Sequence, residues 1–385
     1  MNNFDLYNPT RIFFGKGRIA DLGAQIPVDA NVLLVYGGGS AERSGVLAQV
    51  RTELGNRTVI EFGGIEPNPR YATALKAINV IAENNINYLL AVGGGSVIDA
   101  TKFIAAATKF EGDPHEILTS WGSCVSSALP FGTVLTLPAT GSEMNPASVI
   151  TSAENGTKMV FMSPHCYPEF SILDPEMTYS LPIRQIANGV TDAFVHIIEQ
   201  YLTYPVSASV QDGFAESLLR TLIDIGPKAL VNPLDYDIRA NLMWTATLAL
   251  NGLIGVGVPH DWSSHMIGHE ITALNDTDHA RTLAIILPAL MDDQRASKRE
   301  KLLQYAANVW NICDDSEDAR IDAAISATRD FFHKMGIQTR LSDYGLDVDD
   351  IERIVTALES RGMIAIGETQ SINPEAVRRI LQAAI

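Results

Sequence analysis

The chain has 385 residues, more than one hydrophobic core usually serves, so two domains are expected. Its composition, 46% hydrophobic, 19% charged and 7% aromatic, is that of a folded globular protein and not of a disordered one. A net charge of −17 and a pI near 4.8 argue against nucleic acid or an anionic membrane as partner, although a helix N-terminus can bind phosphate even in such a field.

The N-terminus, MNNFDLYNPTRIFFGKG, has no charged-then-apolar leader, and cytoplasmic placement is the expectation. Short β-branched runs then alternate with helical patterns. NVLLVYGGGS (31–40) reads as a strand ending in a glycine turn, and RTVIEFGGIEPNP (57–69) as a strand and a loop closed by prolines. NYLLAVGGGSVIDATKFIAAA (87–107) reads as strand, glycine turn and helix; GTVLTLPATGSE (132–143) reads as a strand entering a polar loop. Continuous apolar strands point to a parallel sheet with helices on both faces.

Each GGGS turn lets the backbone approach a bound group, and the following helix offers free N–H groups to phosphate. The plainer alternative is a strand-to-helix turn in which Ser96 and Asp99 form a capping-box variant. Neither turn completes the dinucleotide fingerprint GxGxxG, because Ile98 and Glu42 stand where its third glycine belongs. Two such turns after two strands still favour a phosphate-bearing ligand.

From Leu181-Pro182 onward the periodicity is helical, which divides the chain into an α/β domain over 1–180 and an all-α domain over 181–385. Ile186, Val190, Phe194, Ile197 and Tyr201 form one apolar stripe, with Asp192 and His196 four apart on the opposite face. Taken alone, that pair reads as exposed. Residues 258–280, VPHDWSSHMIGHEITALNDTDHA, hold four of the eight histidines: His260, His265, His269 and His279. Imidazoles with a carboxylate and no thiolate suit zinc or ferrous iron. Four ligands could come from Asp192, His196, His265 and His279, or His269 could replace one of them.

Other chemistries fit poorly. HExxH would need its second histidine at Ala273, and no GxSxG elbow occurs. Cys124, Cys166 and Cys313 are too few and too scattered for a disulfide framework or a thiolate zinc site. LAIILPALM (283–291) is too short to span a bilayer and contains Pro288.

Taken together, PTRIFFGKG, GIEPNP, GGGSVIDATK, TLPATGSE, LPIRQIANGVTDAFVHIIEQY and the histidine-rich stretch resemble the iron-containing alcohol dehydrogenase family over essentially the whole chain. The likeness is greatest to its NADPH-dependent aldehyde reductase and butanol dehydrogenase branch. The resemblance implies a dehydroquinate synthase-like fold: a Rossmann-like dinucleotide domain, a helical metal-binding domain, and the metal in the cleft between them. It assigns a divalent ion, Fe2+ or Zn2+, to Asp192, His196, His265 and His279, and leaves His269 beside it for proton transfer. It places the pyrophosphate on Gly94, Gly95 and Ser96, with Asp99 nearby, and lines the rest of the cofactor groove with Asn68, Thr136, Thr140, Asn145 and Lys158.

Two departures bear on function. Many relatives carry an aspartate after the first strand; here Gly37, Gly38, Gly39 and Ser40 stand there, which removes repulsion toward a 2′-phosphate and favours NADP(H). HARTLA (279–284) replaces the HGxxNA of many relatives but keeps His279. The expected activity is interconversion of small aldehydes and primary alcohols by a cytoplasmic homodimer, with the RIFFGKG region near the dimer interface. An NAD-dependent polyol dehydrogenase of glycerol type, a dehydroquinate-synthase-like lyase and a metal-dependent hydrolase of a phosphorylated substrate are the alternatives. His260 has no assigned role.

Overall fold

The computed structural model describes every residue except 153–156 and 315. Its strands are β1 (Arg11–Phe14), β2 (Asn31–Gly37), β3 (Thr58–Ile65), β4 (Tyr88–Gly94), β5 (Phe131–Leu137), β6 (Ala147–Thr151), β7 (Lys158–Met162) and β8 (Phe170–Leu173). Six of them form a parallel sheet in the order β1-β8-β5-β4-β2-β3, while β6 and β7 pair as an antiparallel hairpin.

Alternation along the strands explains their unbroken apolar runs. Val32, Leu34, Leu90, Val92 and Val134 join a core that includes Val46, Leu47 and Val50 of the helix Val46–Leu54. Their neighbours Leu33, Val35, Leu89, Ala91 and Leu135 join a second core with Ala74 and Ile81 of the helix Tyr71–Asn84 and with Phe103 and Ile104 of the helix Gly95–Lys109. A strand buried on both faces has no polar positions to alternate with.

The chain forms two compact units. One comprises 7–182 together with 234–247; the other comprises 1–6, 183–233 and 248–385. Most of the helix Tyr236–Ala249 therefore packs with the α/β unit, although its sequence reads as part of the helical half. Two buried contacts hold it there. Arg239 Nε donates to Thr178 Oγ1 at 2.9 Å, and Thr247 Oγ1 donates to Glu143 Oε1 at 2.5 Å. Both join residues far apart in the chain, which periodicity does not reveal.

The helical unit includes helices Ile183–Tyr201, Ser209–Val231, Ser263–Asn275, His279–Asp293, Arg299–Trp310, Glu317–Lys334, Val348–Ser360 and Pro374–Ala383. One core joins Ile267, Ile271, Ile286 and Leu290 to Ile354, Leu358, Val377 and Ile380. Among the described residues, no helix is long and apolar enough to cross a membrane.

Candidate active site

Both glycine turns lie at the carboxyl ends of adjacent strands, β2 and β4. The chain runs outward from β2 to β3, and outward from β4 to β5 and β8, so strand order reverses between them. Open α/β sheets bind ligands at such a reversal. A β-carbon on Gly95 would collide with Thr140 Oγ1, so the helix Gly95–Lys109 can begin this close to the 140 loop only with glycine.

No side chain caps that helix. Ser96 Oγ instead donates to the Pro67 carbonyl, and Asp99 accepts from Ser142 Oγ at 2.6 Å and from the Val149 N–H at 3.0 Å. The capping-box alternative is therefore not adopted, and the first-turn N–H groups point out of an uncapped helix end, which fits a phosphate. Asn68 follows Pro67 and is exposed beside this turn, Thr136 sits near the end of β5, and Lys158 opens β7.

Asp99 and Asn145 serve an internal frame as well. Lys102, hidden from sequence reading inside an apolar helix, is fully buried and donates to Ser142 Oγ (2.8 Å), Asn145 Oδ1 (3.1 Å) and the Ala147 carbonyl (2.7 Å). Burial pulls its ammonium down to about 8 against the opposing pull of Asp99. Burial likewise pushes the Asp99 carboxyl up, with Lys102 and Ser142 countering. This frame holds the loop that carries Thr140 against the glycine turn.

At the β2 turn, Gly39 takes a left-handed φ of 97° and Gly37-Gly38 present no carboxylate. Arg43 Nη1 lies 3.2 Å from where a Gly39 β-carbon would stand. The nearby acids are occupied, since Arg51 holds Glu42 and Glu61 at 2.8 Å each. Arg43 is thus a cation over this turn that the sequence reading missed. Its place three residues after Ser40 was the available signal.

The second cluster lies within the helical unit. Asp192, His265 and His279 each offer a donor atom, all within 4.8 Å of one another. His196 Nδ1 is 3.8 Å from Asp192 Oδ2, and its ring stacks on His265 with centroids 4.7 Å apart. His279 Nε2 is 3.7 Å from Asp192 Oδ1, a buried oxygen with no hydrogen-bond partner among the described residues. His269 lies at the edge, its ring 5.0 Å from that of His279. One carboxylate and several imidazoles converging in a buried place fit a first-row divalent cation.

Local structure explains the convergence. Asp192 and His196, expected on an exposed face, are buried, because the helix Ile183–Tyr201 is covered on that side too. The helix His279–Asp293 is pinned at its start by Asp278, which accepts from Arg184 Nε at 2.7 Å and Asn188 Nδ2 at 2.8 Å. Asn188 and Arg184 stand about one and two turns before Asp192, so the same helix face sets the height of His279. Trp262 precedes the helix Ser263–Asn275 with a left-handed φ of 64° and packs edge-on against His265, with centroids 5.3 Å apart. His260, left without a role, accepts at Nδ1 from Trp262 Nε1 at 3.3 Å.

A second buried carboxylate was also missed. Glu199 contacts His265 Nδ1 through Oε2 and accepts from the Ser264 N–H at 2.6 Å. Burial, then the Asp261 carboxylate, push its carboxyl up to about 8. Its signal was spacing: Asp192, His196 and Glu199 fall at i, i+4 and i+7 on one helix face.

The family model "Iron-containing alcohol dehydrogenase" matches residues 9–175, and "Fe-containing alcohol dehydrogenase family, C-terminal" matches 186–385. The chain is 57% identical over 386 residues to the NADPH-dependent aldehyde reductase YqhD of Escherichia coli (strain K12), covering 100% of both. A crystal structure of E. coli YqhD superposes with a TM-score of 0.98, covering 100% of this chain and 99% of that one. The probable NADH-dependent butanol dehydrogenase 1 of Bacillus subtilis (strain 168) is 41% identical over 392 residues, again covering 100% of both. The structure of NADH-dependent butanol dehydrogenase A from Thermotoga maritima is 34% identical, with a TM-score of 0.94 over 100% of this chain and 99% of that one. With both halves matched and relatives of this identity aligned end to end, the chain belongs to the iron-containing alcohol dehydrogenase family.

Proposed function

We propose that this chain is an NADP(H)-dependent oxidoreductase that interconverts aldehydes and primary alcohols, working as an aldehyde reductase. The observation that carries the reading is the convergence of Asp192, His265 and His279 donor atoms within 4.8 Å, with His196 stacked alongside. These four residues would hold one divalent metal ion. The names of its relatives, an NADPH-dependent aldehyde reductase and butanol dehydrogenases, support the substrate class.

When bound, the metal supplies Lewis acidity at the carbonyl oxygen and the dinucleotide supplies the hydride. The chain does the rest. The uncapped turn at Gly94, Gly95 and Ser96 binds the pyrophosphate, with Asn68, Asp99, Thr136, Thr140, Asn145 and Lys158 around it. Gly37, Gly38, Gly39 and Ser40 leave room for a 2′-phosphate, and Arg43 meets its charge. Burial of Asp192, His196 and His265 excludes water from the polar cluster. The His269 imidazole holds the proton that passes to the alkoxide.

Three free cysteines support a reducing cytoplasmic setting, and burial pushes the Cys166 thiol up to about 12, which makes that thiol a poor nucleophile for the hydrolase alternative. Strand β1, at the sheet edge, is the surface assigned to a second copy in a homodimer. Titration of the purified protein with NADPH and NADH, followed by assay with short aldehydes, tests the reading. Tighter NADPH binding with aldehyde-dependent consumption is expected. Tight NADH binding with no NADPH binding would overturn the cofactor assignment, and turnover of a phosphorylated substrate without nicotinamide consumption would overturn the reaction class.

A further inference from the structure

Glu199 lies outside the four ligands and the proton donor, yet it touches one of them. Only 2% of its surface is exposed, and each of its carboxylate oxygens has its own partner. Oε1 accepts from the Ser264 N–H, a donor at the start of the helix Ser263–Asn275 that has no partner inside that helix. Oε2 meets His265 Nδ1. The Glu199 carbonyl accepts from the Asp261 N–H at 2.9 Å, so main chain and side chain fasten the same crossing.

A buried charge row backs this arrangement. Lys298 Nζ donates to Asp261 Oδ2 at 2.9 Å, to Glu368 Oε1 at 2.6 Å and to the Leu202 carbonyl at 2.7 Å. Lys298 is 3% exposed and Asp261 5%, so the row resists the rearrangement that an exposed ion pair would permit. The segment carrying Ser264 and His265 is therefore fixed from both ends of a short loop.

We propose that Glu199 is a positioning residue of the metal centre: it holds His265 by Nδ1, so that Nε2 is the nitrogen presented beside Asp192 and His279. This rests on the reading that those residues bind a divalent metal. A carboxylate accepting at Nδ1 fixes the ring's tautomer and orientation and makes its other nitrogen a stronger ligand. Glutamine at this position keeps one acceptor, enough for the Ser264 N–H, but offers an amide N–H toward Nδ1. That favours the tautomer with its proton on Nε2, which cannot ligate.

The test is zinc affinity of the full-length protein, measured by chelator competition, for the wild type, Glu199→Gln, Glu199→Asp and His279→Ala. Glu199→Gln is expected to weaken zinc binding by about 10- to 100-fold while the metal-free melting temperature stays at the wild-type value. Glu199→Asp, which keeps a carboxylate one methylene short, is expected to fall between them and carries the test if the glutamine variant does not fold. The absorption bands of bound Co2+ are expected to shift in both variants, which a merely structural glutamate would not cause. Wild-type zinc affinity and Co2+ bands in the Glu199 variants, with zinc lost in His279→Ala, would overturn the positioning role and leave the metal site standing. Wild-type zinc affinity in His279→Ala would overturn the metal reading, and this proposal with it.

Discussion

In the proposed function, single side chains divide the work between cofactor choice and metal binding. Arg43 lies over the first glycine turn while Arg51 occupies the neighbouring Glu42 and Glu61. A charge-assisted bond to phosphate contributes about 1.5–3 kcal/mol when formed; at this exposed place the lower end applies. Arg43→Ala is therefore expected to raise the NADPH dissociation constant about 10-fold and to leave that of NADH nearly unchanged. Equal loss for both nucleotides, by fluorescence titration, would remove Arg43 from 2′-phosphate recognition. In the proposed ligand set, Asp192→Ala is expected to cost about 100-fold or more in metal affinity, since it removes that set's one carboxylate. Metal analysis after dialysis checks this, and full metal content in the variant would count against it. The histidines were conspicuous in the sequence because they crowd into 258–280, but the burial of Asp192 and His196 was not. Periodicity reveals one apolar stripe, and it is silent about a second face covered by distant helices.

Among elements, the glycine turn after β4 couples local conformation to ligand approach. Gly95→Ala places a methyl group against Thr140 Oγ1, and overpacking of this kind costs about 1–3 kcal/mol. Pairing it with Thr140→Gly should recover much of the stability without recovering NADPH affinity, because the added methyl still blocks backbone approach to the phosphate. Recovery of both together would mean that the turn serves packing alone. Strands β2, β4 and β5 were legible because each is a run of seven residues with apolar character on both faces, and β3 because its eight residues are rich in β-branched and aromatic side chains. Strands β1 and β8, four residues each, are too short to stand out, and β6 and β7, five residues each, pair antiparallel outside the main sheet. The helix Tyr236–Ala249 shows the same limit at longer range, since Thr178 and Glu143 decide where it packs. The glycine turns themselves were legible, but the adjacency of β2 and β4 was not, because strand order depends on pairing between segments far apart in the chain.

Over the whole molecule, the two glycine turns lie in the α/β unit and the Asp192, His265 and His279 cluster lies in the helical unit. A ligand bound only by the native state stabilises it by about 4 kcal/mol at a thousandfold excess over its dissociation constant. Chelation is accordingly expected to lower hydrogen-exchange protection in 183–201, 263–275 and 279–293 and to spare the strands β2 to β5. Uniform loss in both units would show that metal and local structure are not linked in this way. With a net charge of −17, phosphate binding at the glycine turns would have to rest on helix N-termini and Arg43 rather than on a basic surface. The proposed activity is metal-dependent reduction of an aldehyde by NADPH. Its most direct test is the rate of butanal reduction by the purified full-length protein before chelation, after it, and after Fe2+ or Zn2+ is restored. A fall of about 100-fold or more on chelation and recovery on re-addition are expected; an undiminished rate in the metal-stripped protein would contradict metal-dependent reduction.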